Sequence, residues 1–98
     1  VGEKPVSLIA YQYAKPGRRD ELAVKLARLS EASRKEDGCL TYEVHALKDD
    51  PNVFVLFETW ASQAALDQHF NADNFQRFWS ARLDYLKRDV EVKFLTDL

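Results

Sequence analysis

The chain is poor in the residues from which small cofactor and metal sites are usually built. Its 98 residues include three glycines, two histidines, one cysteine and no methionine. The glycines form neither a G-x-G-x-x-G fingerprint nor a phosphate loop, so there is no backbone cradle for a dinucleotide or a nucleotide phosphate. The histidines, His45 and His69, fall in different predicted elements with no HxxxH, HxH or CxxC spacing, so no metal is expected. No G-x-S-x-G elbow occurs. Cys39 stands alone, which excludes an internal disulfide and suits a reducing compartment; next to Gly38, with no basic helix start beside it, it reads as an inert packing thiol. No apolar run approaches the roughly 20 residues needed to cross a bilayer, and the opening "VGEKPVSL" lacks the blocks of a signal peptide, so a cytoplasmic location with no membrane partner is expected. The fourteen basic and sixteen acidic residues are interspersed, giving a net charge of -2 and no basic stripe for nucleic acid.

What is present is a chain with 46% hydrophobic and 31% charged residues, the balance of one compact soluble domain over residues 1–98. "PVSLIAYQYAKPG" reads as a strand ended by Pro16 and Gly17. From Arg18 to Glu36, Leu22, Leu26 and Leu29 with Ala23, Ala27 and Ala32 recur at helical spacing, and Gly38 supplies the stop. "CLTYEVHAL" and "VFVLFETW" read as antiparallel strands joined by "KDDPN", with Asp50, Pro51 and Asn52 as the turn. Ser62 can cap a second helix through Leu66 and Phe70, which breaks at "NADN" and resumes as "FQRFWSARLDYLKR" behind Asp73 or Asn74. "DVEVKFL" closes the pattern as a strand with Val90, Val92 and Phe94 on one side.

The order β, α, β, β, α, β predicts a ferredoxin-like α+β fold, an antiparallel sheet with helices on one face. Such a sheet should alternate apolar and polar residues, yet "VFVLF" from Val53 to Phe57 is apolar on both faces. A second copy in an isologous homodimer is the simplest cover.

The helix after Ser62 carries the most informative polar residue. At about 100° per residue, Ala65, His69, Leu66 and Phe70 fall near 0°, 40°, 100° and 140°, so His69 lies within the apolar arc and should face the sheet. Around it in sequence stand Trp60, Phe75, Phe78 and Trp79, whose spacing suits either core packing or the lining of a pocket. Glu43 and His45 share one strand face and Glu58 and Trp60 another, and neither glutamate belongs unpaired in a dry core.

The run "GCLTYEVHALKDDPNVFVLFETWASQAALDQHFNADNFQRF" carries a family resemblance. Gly38-Cys39-Leu40 with Tyr42 and His45, the Asp50-Pro51 turn, Glu58 and Trp60, and Ala65-Leu66 with His69 and Phe75 resemble the antibiotic biosynthesis monooxygenase (ABM) domain family, which includes quinol monooxygenase-like proteins. The resemblance implies a dimeric α+β barrel and, as in several members, oxidation of polycyclic phenols or quinols by O₂ without a cofactor. For such chemistry His69 is the candidate base with His45 as the alternative, and Trp60, Tyr42, Phe75, Phe78 and Trp79 are the candidate substrate-binding residues. Haem-degrading members carry a histidine ligand late in the second helical segment and an aromatic residue about ten positions earlier. Here those places hold Trp79 and His69, which argues against haem. Two other functions remain compatible with the same fold: a non-catalytic small-molecule-binding or stress-associated dimer, and a cofactor-free isomerase using Glu58 as an acid.

Overall fold

The computed structural model describes residues 4–98; the first three residues, part of the stretch read for a signal peptide, lie outside it. The elements run β1 (Val6–Tyr13), α1 (Arg19–Arg34), β2 (Cys39–Leu47), β3 (Asp50–Trp60), α2 (Gln63–Asn71), α3 (Asp73–Tyr85) and β4 (Glu91–Leu95). The strands form one antiparallel sheet in the order β2-β3-β1-β4, the ferredoxin-like arrangement that the element order predicts.

Alternation along the strands decides which residues meet the helices. Leu8, Ala10 and Gln12 of β1 and Phe54, Leu56, Glu58 and Trp60 of β3 are buried on the helix side. Register then builds rows across the strands: Tyr42, Glu58, Leu8 and Phe94 form one, and Val44, Leu56, Ala10 and Val92 the next. Burying the leucines of α1, at Leu22, Leu26 and Leu29, against this face supplies most of the helix's stability; each fully buried leucine contributes roughly 1.5–3 kcal/mol. Asp20 and Glu21 in the first turn and Arg34 in the last also oppose the helix dipole. On the opposite face Ile9, Tyr11, Val55 and Phe57 are half-buried, and none of the described helices packs there.

Local details differ from the expected ones for identifiable reasons. The β2–β3 connection is only Lys48 and Asp49, with Leu47 paired to Asp50 and a register irregularity between Ala46 and Leu47. Pro51 and Asn52 therefore belong to β3, not to the turn. Pro51 is tolerated because β1 stops pairing with β3 at Val53, so its missing N–H removes no ladder bond on that side. Ser62 caps α2 as expected, its Oγ accepting from the Ala65 N–H at 3.1 Å. The restart at α3 is capped by neither Asp73 nor Asn74. Ala72, extended at ψ 146°, ends α2 and begins α3 without a side-chain bond, and Asp73 lies inside the first turn.

Gly38 has a role beyond stopping a helix. Its φ is +81°, and a Cβ there would lie 2.6 Å from the Cβ of Ala65 in α2. The Ala61 N–H donates to the Gly38 carbonyl at 2.8 Å, and the Cys39 N–H to the Glu36 carbonyl at 3.2 Å. The turn after α1 is thereby held against the start of α2, which brings Glu36 within reach of a residue 33 positions later.

Candidate active site

A cavity of about 310 Å³ lies between the helix side of the sheet and α1 and α3, partly open to solvent. Its walls are aliphatic and aromatic, from Leu8, Leu56 and Leu29 to Phe75, Phe78 and Trp79. Polar groups are few: Gln12 and Glu58 from the strands, Tyr42 from β2 and Gln76 from α3. Only Glu58 and Tyr42 among its lining residues can ionise. A mostly apolar space with a few placed polar groups is the usual form of a small-molecule site.

Of the residues singled out from sequence, Tyr42, Phe75, Phe78 and Trp79 line this cavity. His69 and Trp60 do not. His69 is 1% exposed and Trp60 0%, and both sit behind Glu58. His45 is solvent-exposed on the far face of β2, 2.9 Å from Glu43, and has no contact with the cavity. The separation of His45 from Tyr42 follows from strand parity, since after the irregularity between Cys39 and Thr41 the residues Thr41, Glu43 and His45 of β2 point away from the helices.

His69 is packed among rings. The Trp60 ring lies 4.5 Å away at a 31° tilt, Phe75 at 5.0 Å and Tyr42 at 5.7 Å; Phe75 in turn stacks on Trp79 at 5.4 Å. Its Nδ1 lies 2.7 Å from Glu36 Oε1. A carboxylate only accepts, so Nδ1 carries the proton and Nε2 is left as a bare acceptor. Nε2 is buried without a hydrogen-bond partner, and Glu58 Oε1 is 3.9 Å from it.

Glu58 is 5% exposed, and its Oε1 accepts from Trp60 Nε1–H at 3.0 Å. Burial raises its pKa to about 7, against the lowering effect of the Trp60 bond, with the charge on Glu36 adding to the rise. Burial lowers the pKa of His69, while its bond to Glu36 pulls the other way. The 3.9 Å separation is therefore not a salt bridge, because burial favours the neutral form of both groups. Tyr42 is pushed well above the usual phenol value, by burial first and the field of Glu58 second.

Two members of this arrangement were not selected from sequence. Glu36 sits in a turn outside any periodic pattern, and nothing local marks it. Gln12 could have been found, since it is a polar residue at an inward position after Leu8 and Ala10. No group of three or more His, Cys, Asp or Glu side chains among the described residues is placed to hold a metal ion. No helix among them is long and apolar enough to cross a membrane.

An antiparallel sheet with helices on one face and a cavity between the two defines an α+β domain of the ferredoxin-like class. Within it the chain belongs to the antibiotic biosynthesis monooxygenase family, whose sequence model matches residues 5–80. It is 32% identical to a protein of Mycobacterium tuberculosis provisionally named as a monooxygenase, Rv0793, over 94 residues covering 96% of this chain and 92% of that protein. The solved structure of Rv0793 superposes with a TM-score of 0.91, covering 97% of this chain and 96% of the other. PA3566 from Pseudomonas aeruginosa superposes at 0.92 with 35% identity, covering 100% and 98%. A Synechocystis protein, sll1783, is 31% identical over 91 residues; the match takes in 93% of this chain but 62% of the length of that relative.

Proposed function

We propose that the protein is a cofactor-independent monooxygenase that oxidises a small aromatic hydroquinone or polyphenol with O₂, binding it in the cavity beside Glu58. The family membership and the monooxygenase name of a relative support a monooxygenase-like role. The observation that carries the finer reading is Glu58, a buried carboxyl facing an apolar, aromatic-walled cavity with His69 behind it. The cavity has about twice the volume of a ~150 Å³ apolar cavity that accepts benzene, so two fused rings fit.

A hydroquinone gives up an electron to O₂ far more readily as its phenolate. In the overall step one ring C–H becomes C=O with one atom of O₂, the phenol C–OH also becomes C=O, and the hydrogens lost from the C–H and the O–H leave with the second oxygen atom as water. The protein must therefore remove a proton, hold the ring and lend the proton back. An ordinary carboxylate near 4.5 faces a phenol near 10 across roughly 5.5 pKa units; at about 7, Glu58 faces it across roughly 3, or ~4 kcal/mol. Tyr42, kept protonated, can donate to the phenolate and offset part of the remainder. His69, the base expected from sequence, acts in this scheme through Glu58, because its ring does not reach the cavity surface. The half-buried face of Ile9, Tyr11, Val55 and Phe57 is covered by a second copy, giving a homodimer; sedimentation showing a stable monomer at micromolar concentration would count against it.

Oxygen uptake on a dihydroxynaphthalene tests the reading. Wild type should consume O₂, Glu58→Gln should lower the rate by about 10² to 10⁴, the range for loss of a general base, and His69→Phe should lower it to a smaller extent. Wild type that consumes no oxygen with any quinol overturns the monooxygenase reading and leaves the isomerase, which needs the same carboxyl and no O₂.

A further inference from the structure

Three side chains stand in file between the cavity and the protein surface. Glu58 lines the cavity, His69 is enclosed behind it, and Glu36, whose side chain is 23% exposed, touches water on the far side. The separations are 3.9 Å from Glu58 Oε1 to His69 Nε2 and 2.7 Å from His69 Nδ1 to Glu36 Oε1. We propose that Glu58, His69 and Glu36 form a proton-conducting chain from the cavity to bulk water, with Glu36 as its outer, positioning end. The inference rests on the reading of Glu58 as the group that takes the substrate proton.

The unpaired nitrogen of His69 is what makes the file a route and not a packing contact. A buried acceptor without a donor is costly, and Glu58 is the group that stands 3.9 Å from Nε2. While Glu58 is a carboxylate it has no hydrogen to offer. Once it takes a proton, a movement of about 1 Å converts the 3.9 Å contact into an O–H···N bond. Protonation at the cavity is therefore coupled to the histidine, and the histidine to Glu36. Glu36 reaches it only because the Gly38 turn is pinned to the start of α2, as its bond to Ala61 shows.

The proton balance closes without any change in electron count. The substrate O–H breaks as an O–H forms on Glu58; that bond breaks as N–H forms at Nε2; the Nδ1 proton passes to Glu36 and then to water. This leaves His69 in its other tautomer. Water formation later in the turnover takes a proton back along the same file and restores the first one. Other titratable groups facing the file do not offer a competing line. Tyr42 and Cys39 of β2 are both raised by burial first, with Glu58 and Glu36 adding to it, and so keep their protons. The guanidinium of Arg34 at the end of α1 is bound to the Tyr42 carbonyl at 3.0 Å.

Glu36→Gln is the informative variant, because its amide oxygen can still accept from Nδ1–H but cannot carry a proton. With dihydroxynaphthalene as substrate, KM should stay unchanged while kcat falls by about tenfold or more, as for other groups that orient a catalytic partner. Added imidazole at millimolar concentration should restore part of the loss, since the outer end is open to solvent. A Glu36→Gln enzyme with wild-type kcat, or one whose loss lies wholly in KM, overturns the chain. A second readout needs no turnover: the ¹⁵N resonances of His69, followed against pH, should show Nδ1 protonated and an inflection at Nε2 that disappears in Glu58→Gln and shifts in Glu36→Gln. If both variants leave that inflection unchanged the chain is refuted, whereas a wild type inactive on quinols but showing the coupled titration loses the proposed reaction and keeps the chain.

Discussion

Glu58 should make the protein less stable as pH rises through neutrality, and Glu58→Gln should abolish that dependence. In the unfolded chain the carboxyl titrates near 4.5, and in the folded protein near 7. Between those values the folded state binds more protons than the unfolded one, so stability falls with increasing pH. The contribution is fully present below pH 4.5 and is lost as pH passes through 7. A shift of 2.5 units at ~1.36 kcal/mol each gives about 3 kcal/mol, since the group is nearly enclosed and little screened. For a domain of 98 residues this corresponds to a fall in Tm on the order of 10–20 °C. His69 acts in the opposite sense: its folded pKa is lowered, so its contribution is present above the unfolded value and lost on acidification. Measuring wild type and Glu58→Gln side by side isolates the carboxyl. Glutamine keeps an oxygen for Trp60 Nε1–H, so the 3.0 Å bond survives the substitution. The assay is urea unfolding followed by fluorescence of Trp60 and Trp79, from pH 4 to 9, at one fixed protein concentration so that association does not move the midpoint. The gap between variant and wild type should widen by about 3 kcal/mol from acid to alkaline pH. A gap that stays constant across the range would refute the buried-acid reasoning.

Three other outcomes follow from the geometry. Gly38→Ala should destabilise by ~2–4 kcal/mol, combining a left-handed backbone with a Cβ pressed 2.6 Å from Ala65; Gly17→Ala, at φ +79° with nothing near its Cβ, should cost ~1 kcal/mol, and equal losses in thermal unfolding would contradict the close-approach argument. Ser62→Ala should remove about 1 kcal/mol by leaving the Ala65 N–H without its cap, detectable as a lower urea midpoint at unchanged slope. His45→Ala should leave quinol oxidation unaltered and change stability by less than ~0.5 kcal/mol, since its bond to Glu43 is exposed and remote from the cavity; a large loss of rate would reinstate it as the base.

Much of the fold follows from patterns two to four residues long. The β-branched and aromatic runs "SLIAYQY" and "VFVLF" specify strands, and the leucine spacing at 22, 26 and 29 specifies the buried side of α1. The wheel position of His69 places it inward, where it is found, because helix periodicity and burial are set within one element. The turn and caps were less legible. Asp50, Pro51 and Asn52 have turn chemistry, but pairing between β2 and β3 extends past them to Lys48-Asp49, since ladder hydrogen bonds between long strands outweigh local preference. Which inward residues reach the cavity was a tertiary matter: Glu58 and Trp60 share one strand face, yet the carboxyl lines the space and the indole lies behind it. The meeting of Glu36 with His69 was likewise decided only in three dimensions. No periodicity links positions 33 apart; they meet because Gly38 has no side chain to hold α2 away. The sequence by itself thus determined the elements and which of their side chains share a face, because those depend on neighbours in the chain; which strand face meets the helices was left to the fold. The tertiary structure decided the burial of Glu58 and the placing of His69 between it and Glu36, because burial and the distances between elements arise only on folding.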